Sequence, residues 1–149
     1  GQHGLRLGQP RLSARRLGLR RLFGRAQMSA YRPGLHGLLD LYGCPAVLLR
    51  DAAALEGAMR AAAQQAGATI LSAHFHTFGA GGGVTGVLLL AESHITIHTW
   101  AEHSFAAADI FLCGSLKPET AAQSLQTALR AQSATWREYP RGERLFDAA

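Results

Sequence analysis

Residues 83–114 read GVTGVLLLAESHITIHTWAEHSFAAADIFLCG. Three apolar, β-branched or aromatic runs, VTGVLLLA (84–91), HITIHTW (94–100) and FAAADIFLC (105–113), are parted by short polar breaks, which is the pattern of successive strands. Upstream, ATILSAHFHTF (68–78) is a fourth such run. It joins the others through Gly79-Ala80-Gly81-Gly82-Gly83, which lacks the Lys-Ser/Thr of a P-loop and leads into a strand, so it reads as a flexible hairpin connection. Further out, LHGLLDLYGC (35–44) is an opening strand closed by Gly43. Asp51 then caps a helix in which Leu55, Met59, Ala62 and Ala66 recur at helical spacing before Gly67 stops it. Pro118 and Glu119 suit the first turn of a second helix, with Ala121, Leu125, Ala128 and Leu129 on one side, and ATWREY (134–139) is a short closing strand.

The order β-α-β-β-β-β-α-β predicts an α+β fold: a two-layer α/β sandwich, mainly antiparallel, with five or six strands and both helices on one face. The other sheet face is then wet or covered by a second copy, so a dimer is expected. A length of 149 residues suits one domain, and 48% hydrophobic residues with 17% charged ones exclude disorder as a class. Absence of any 18-residue apolar run predicts no membrane span and no membrane partner.

The net charge of +5 divides into +7 over residues 1–27 and −2 over residues 28–149. The seven arginines of that leader, with Pro10 and five glycines, predict a disordered segment, read as non-native upstream sequence ahead of a start at Met28. An organelle-targeting peptide or a nucleic-acid arm shares its composition. Residues 28–149 form the domain, and their mild acidity predicts no nucleic-acid partner. Cys44 and Cys113, without a second pair, fit free thiols and a cytoplasmic setting better than a disulfide framework.

Chemistry-bearing residues crowd between Phe75 and Cys113: His74, His76, Thr85, Glu92, Ser93, His94, His98, Glu102, His103, Asp109 and Cys113. His74 with His76, and His94 with His98, share strand faces by period 2, yet neither pair has a zinc spacing and no CxxC or HExxH occurs, so no metal is expected. Glu92-Ser93-His94 interrupts two strands where a reversal ordinarily uses Gly, Asn, Asp or Pro. A break with local rules of that kind marks a site. A Ser-His hydrolase is disfavoured, because no GxSxG elbow is present.

Residues 83–114 resemble the core of the prokaryotic S-adenosylmethionine decarboxylases, self-processing pyruvoyl enzymes of spermidine synthesis, and the similarity extends over about 35–142 through LYGC, AGAT, FHTF and PRG. The resemblance implies cleavage between Glu92 and Ser93, giving a β chain (28–92) and an α chain (93–149) whose Ser93 becomes the pyruvoyl group that forms the Schiff base with substrate. It implies that His98 takes the α-proton during processing, that Thr85 stands where a processing serine is usual, and that Cys113 is the proton donor to the substrate carbon. Phe78 corresponds to an aromatic that stacks on adenine, and Glu102 to an acid facing the ribose and the sulfonium. S-adenosylmethionine is the implied substrate, at sites between two packed protomers that each supply residues. No PLP is expected, since Lys117 is the only lysine, and no metal requirement is expected. Around the substrate region the chain departs from the family: the loop after Phe78 is one residue longer, Ala101 replaces a proline, and His103 and Phe105 replace tyrosines. Relatives on this scaffold decarboxylate arginine or ornithine, so those substrates, or an unprocessed non-catalytic binding subunit, are the alternatives.

Overall fold

The alternation in residues 84–112 becomes three consecutive antiparallel strands. The computed structural model describes residues 6–7 and 33–146. Its elements are β1 (Arg6–Leu7), β2 (Gly34–Tyr42), α1 (Ala46–Leu49), α2 (Ala52–Gln65), β3 (Ile70–Thr77), β4 (Val84–Leu90), β5 (Ser93–Trp100), β6 (Phe105–Leu112), α3 (Pro118–Ala128) and β7 (Ser133–Arg141). One sheet takes up all of these strands in the order β1-β7-β2-β6-β5-β4-β3. Every pairing is antiparallel except that of β1, which runs parallel to β7 at Thr135 and Trp136. Of the leader, only these two residues are described; the rest of 1–27 lies outside the described residues.

The helices begin and end where the chain provides caps. Asp51 accepts a hydrogen bond from the Ala54 amide at 3.0 Å, and Gly67 at φ +80° turns the chain out of α2. Pro118 occupies the first turn of α3, where its missing N–H costs nothing. Two features exceed the sequence expectation. The closing strand is longer than 134–139, because β2 pairs with it along its whole length. The four-residue α1 is too short for any periodicity to announce it.

Helices α2 and α3 pack on each other and on one sheet face, α2 over β3 and β4 and α3 over β2 and β6. Between the layers Leu39, Leu41, Leu88, Ile95, Ile97, Ile110 and Leu112 meet Leu55, Met59 and Leu125, all fully buried. Each such side chain contributes about 1.5–3 kcal/mol. Among the described residues nothing covers the other sheet face: Leu38, Tyr42, Leu89, Trp100 and Tyr139 alternate with those core residues and stay 40–49% exposed.

Candidate active site

The β4–β5 reversal is made by Ala91 and Glu92 alone, with Leu90 and Ser93 as the closing pair. Glu92 sits at φ +58°, a left-handed conformation that crowds a side chain's Cβ and costs roughly 1–2 kcal/mol. The residue on the N-terminal side of the expected cleavage bond is thus strained. Ser93 Oγ accepts a hydrogen bond from the Cys113 amide at 3.2 Å, and the Cys113 thiol donates to Glu92 Oε2 at 3.4 Å. Glu92, Ser93 and Cys113 therefore converge at one end of the sheet, where β6 runs out into Gly114.

Thr85 and His98 form a second group. They are directly opposed in the β4–β5 register, with Thr85 Oγ1 3.1 Å from His98 Nδ1, on the open face. His98 lies five positions along β5 from Ser93, which is about 16 Å at strand rise, and the odd separation puts the two on opposite faces. Phe78, following β3, and Glu102, in the turn after β5, stand at that same far end. The Phe78 ring is exposed and meets His76 edge-on at 4.6 Å. The seven residues singled out by resemblance thus fall into two half-sites at opposite ends of one sheet, and a single chain does not bring them together.

A third group escaped the sequence reading. His36 Nε2 and His94 Nε2 both donate to Asp109 Oδ2, at 2.5 and 2.8 Å, and Thr96 Oγ1 donates to Asp109 Oδ1. Burial of Asp109 works to raise its pKa, but the bonds from Thr96, His94 and His36, with the charge of His94, outweigh it and hold the carboxylate below its ordinary range. Two histidines and an acid could ligate a cation, yet both imidazoles approach one carboxylate oxygen at hydrogen-bond distance. His94 and Asp109 were visible as candidates, but His36 is distant in sequence and joins them only because β2 pairs with β6. Toward His98 the same face holds a depression of about 530 Å³ bounded by Leu38, Asp40, Thr96, His98, Asp109 and Arg137.

Cys44 and Cys113 are both free, and differ in setting. Burial pushes the Cys44 thiol up to about 11, whereas Cys113 is half-buried beside Ser93. His76 stands with the second group, against Phe78 and opposite Thr85 in the β3–β4 register, whereas His74 and His103 are not among the hydrogen-bonding residues of these clusters. The glycine-rich loop is a hairpin connection: Arg50 donates to the Gly81 carbonyl at 2.9 Å, and a Cβ on Gly82 would stand 1.7 Å from the Phe78 carbonyl oxygen. No helix among the described residues is long and apolar enough to cross a membrane.

Comparison with known proteins gives a consistent result. A family model described as S-adenosylmethionine decarboxylase matches residues 35–142. The S-adenosylmethionine decarboxylase proenzyme of Thermodesulfovibrio yellowstonii is 42% identical over 113 residues, covering 75% of this chain and 83% of that one. The proenzyme of Parasynechococcus marenigrum is 47% identical over 109 residues, covering 72% and 84%. Among solved structures, the adenosylmethionine decarboxylase of Aquifex aeolicus superposes with a TM-score of 0.70 at 33% identity, over 80% of this chain and 99% of its own. With the fold and the matched span in agreement, the chain belongs to the S-adenosylmethionine decarboxylase family.

Proposed function

We propose that this protein is a proenzyme that cleaves itself between Glu92 and Ser93 and then decarboxylates S-adenosylmethionine with a pyruvoyl group made from Ser93. The observation that carries the cleavage step is the Ala91-Glu92 reversal, which holds Glu92 in a left-handed conformation next to a serine whose hydroxyl is fixed by the Cys113 amide. Ser93 Oγ attacks the Glu92 carbonyl carbon, and the acyl group passes from nitrogen to oxygen, giving an ester. Loss of the Ser93 α-proton to a base breaks the Cβ–Oγ bond, and the Glu92 carboxylate departs with Oγ. Water then displaces ammonia from the dehydroalanine and leaves the pyruvoyl end. The residues present fit this group, since the serine, the strained acyl donor and the Cys113 thiol at the end of β6 lie within hydrogen-bond distance of one another.

His98 is the base, and it acts on the Ser93 of a second copy. Within one chain it is far from Ser93, at the other end of β5. A two-fold arrangement that packs two open faces together brings the half-site of Thr85, His98, Phe78 and Glu102 from one protomer to the half-site of Glu92, Ser93 and Cys113 of the other. The uncovered Leu38, Tyr42, Leu89, Trp100 and Tyr139 supply the apolar area for that contact. The Thr85 hydroxyl, 3.1 Å from Nδ1, orients the imidazole.

The pyruvoyl group supplies an electron sink for the pair released as carbon dioxide leaves. Cys113 then delivers a proton to the substrate carbon, Phe78 stacks on the adenine, and Glu102 faces the ribose hydroxyls and the sulfonium. No metal ion is assigned a role in these steps. The two free thiols support a reducing, cytoplasmic setting.

Intact mass spectrometry of the purified chain under denaturing conditions tests the proposal. The expected result is two fragments meeting at Glu92 and Ser93, the C-terminal one lighter by one ammonia than its serine form, with S93A remaining whole. Carbon dioxide release, followed in parallel from S-adenosylmethionine, arginine and ornithine, is expected from the first alone. An uncut wild-type chain, or cleavage of S93A at the same bond, refutes self-processing at that serine.

A further inference from the structure

Self-cleavage leaves the cofactor-bearing residue poorly tethered. Its peptide bond to Glu92 is gone, its nitrogen has left as ammonia, and its Oγ has departed with Glu92, so the 3.2 Å bond from the Cys113 amide is lost as well. The next residue, His94, is the first of the new chain whose side chain is anchored. Its Nε2 donates to Asp109 Oδ2 at 2.8 Å, and its ring stacks on Phe111, 5.8 Å between centroids at 20°.

The anchor is itself held from both products of the cut. Asp109 and Thr96 lie after the cleavage bond; His36, 2.5 Å from the same carboxylate oxygen, lies before it. Arg141 Nη1 stands 3.4 Å from His36 Nδ1 and can only donate, so Nδ1 accepts and the Nε2–H faces Asp109. We infer that His94, clamped by Asp109 and His36, is the positioning residue that keeps the pyruvoyl end in place once the chain is cut. The inference rests on the self-cleavage reading. It assigns the cluster a task that begins only after processing, distinct from the base role of His98. A loosened end costs turnover more than binding, because a displacement of about 1 Å at a reacting group can lower the rate by about 10²-fold.

The test compares wild type, H94A, H94Q and D109N as full chains. Fragment masses first establish whether each carries the pyruvoyl end. The expected result for H94A is a normal pyruvoyl mass, a kcat lower by about 10²-fold and a nearly unchanged KM. H94Q, whose amide can still donate to Asp109, recovers most of that kcat, and S93A/H94A melts with S93A, which a purely structural role would not allow. Hydrogen exchange on the wild-type protein provides a readout independent of these variants: the amides of residues 94–97 stay as protected after cleavage as in S93A, and lose protection in cleaved D109N. A pyruvoyl-bearing H94A with wild-type kcat overturns the clamp while leaving self-cleavage intact, as does fraying of residues 94–97 in cleaved wild type. Uncut wild-type chains overturn both.

Discussion

Glu92 is the residue at which local chemistry departs furthest from what a chain reversal prefers. A left-handed φ is ordinary for glycine and costly for glutamate, so strain is stored beside the proposed cleavage bond. In the uncleaved S93A background, E92G is expected to lose no stability and to gain up to about 1 kcal/mol in denaturant unfolding; with Ser93 present, the same change slows cleavage. A loss of 1 kcal/mol instead would show that Glu92 is held by its contact with Cys113 and stores nothing. The two cysteines make a second contrast. Cys44 is buried with its pKa pushed up to about 11, while Cys113 reaches the reversal. Native alkylation with iodoacetamide is therefore expected to label Cys113 alone and to abolish decarboxylation; labelling of Cys44 at a comparable rate would contradict that burial.

Among the elements, β5 is the strand on which everything depends. Its outward positions carry His94 and His98, and its inward positions Ile95 and Ile97 fill the core. Thr99 is the exception, a buried hydroxyl that accepts from the Val84 amide at 2.8 Å and donates to the Leu49 carbonyl at 2.7 Å. It ties α1 and the start of β4 to the end of β5 that holds His98 and leads into the turn carrying Glu102. Replacing it with the isosteric valine strands one donor and one acceptor, and T99V is expected to cost about 1–3 kcal/mol in denaturant unfolding of the S93A chain. A neutral result would mean that water reaches those groups. The periodicity of this region was plain in the sequence because every core position recurs at two; the four-residue α1 and the full length of β7 were not, since both depend on pairing with distant segments.

At the scale of the whole molecule, the proposed mechanism joins the two half-sites, at opposite ends of one sheet, through a second copy. Co-expression of S93A with H98A tests this directly. Neither variant is expected to be cut when made alone, but in the mixed dimer the H98A chain supplies Ser93 and the S93A chain supplies His98, so one site is complete. Cleavage of H98A chains and recovery of up to about half of the activity per dimer are expected from that geometry. Failure of H98A chains to be cut in the mixture, with dimers present by sedimentation, would return His98 to its own chain.

Local features fixed much of this protein in advance. Alternation in 84–112, the Asp51 and Pro118 helix starts, the two-layer class and the Glu92-Ser93-His94 break all follow from neighbours in the chain, because strand period, caps and turn chemistry are short-range effects. Resemblance located Ser93, His98, Cys113, Thr85, Phe78 and Glu102 without saying how they are arranged. Only the folded sheet decided that these residues separate into two ends, that the Glu92 backbone is left-handed, and that His36 reaches Asp109 from 73 residues away. Register and strand order set those relations, and both arise from long-range pairing that no local stretch of sequence encodes.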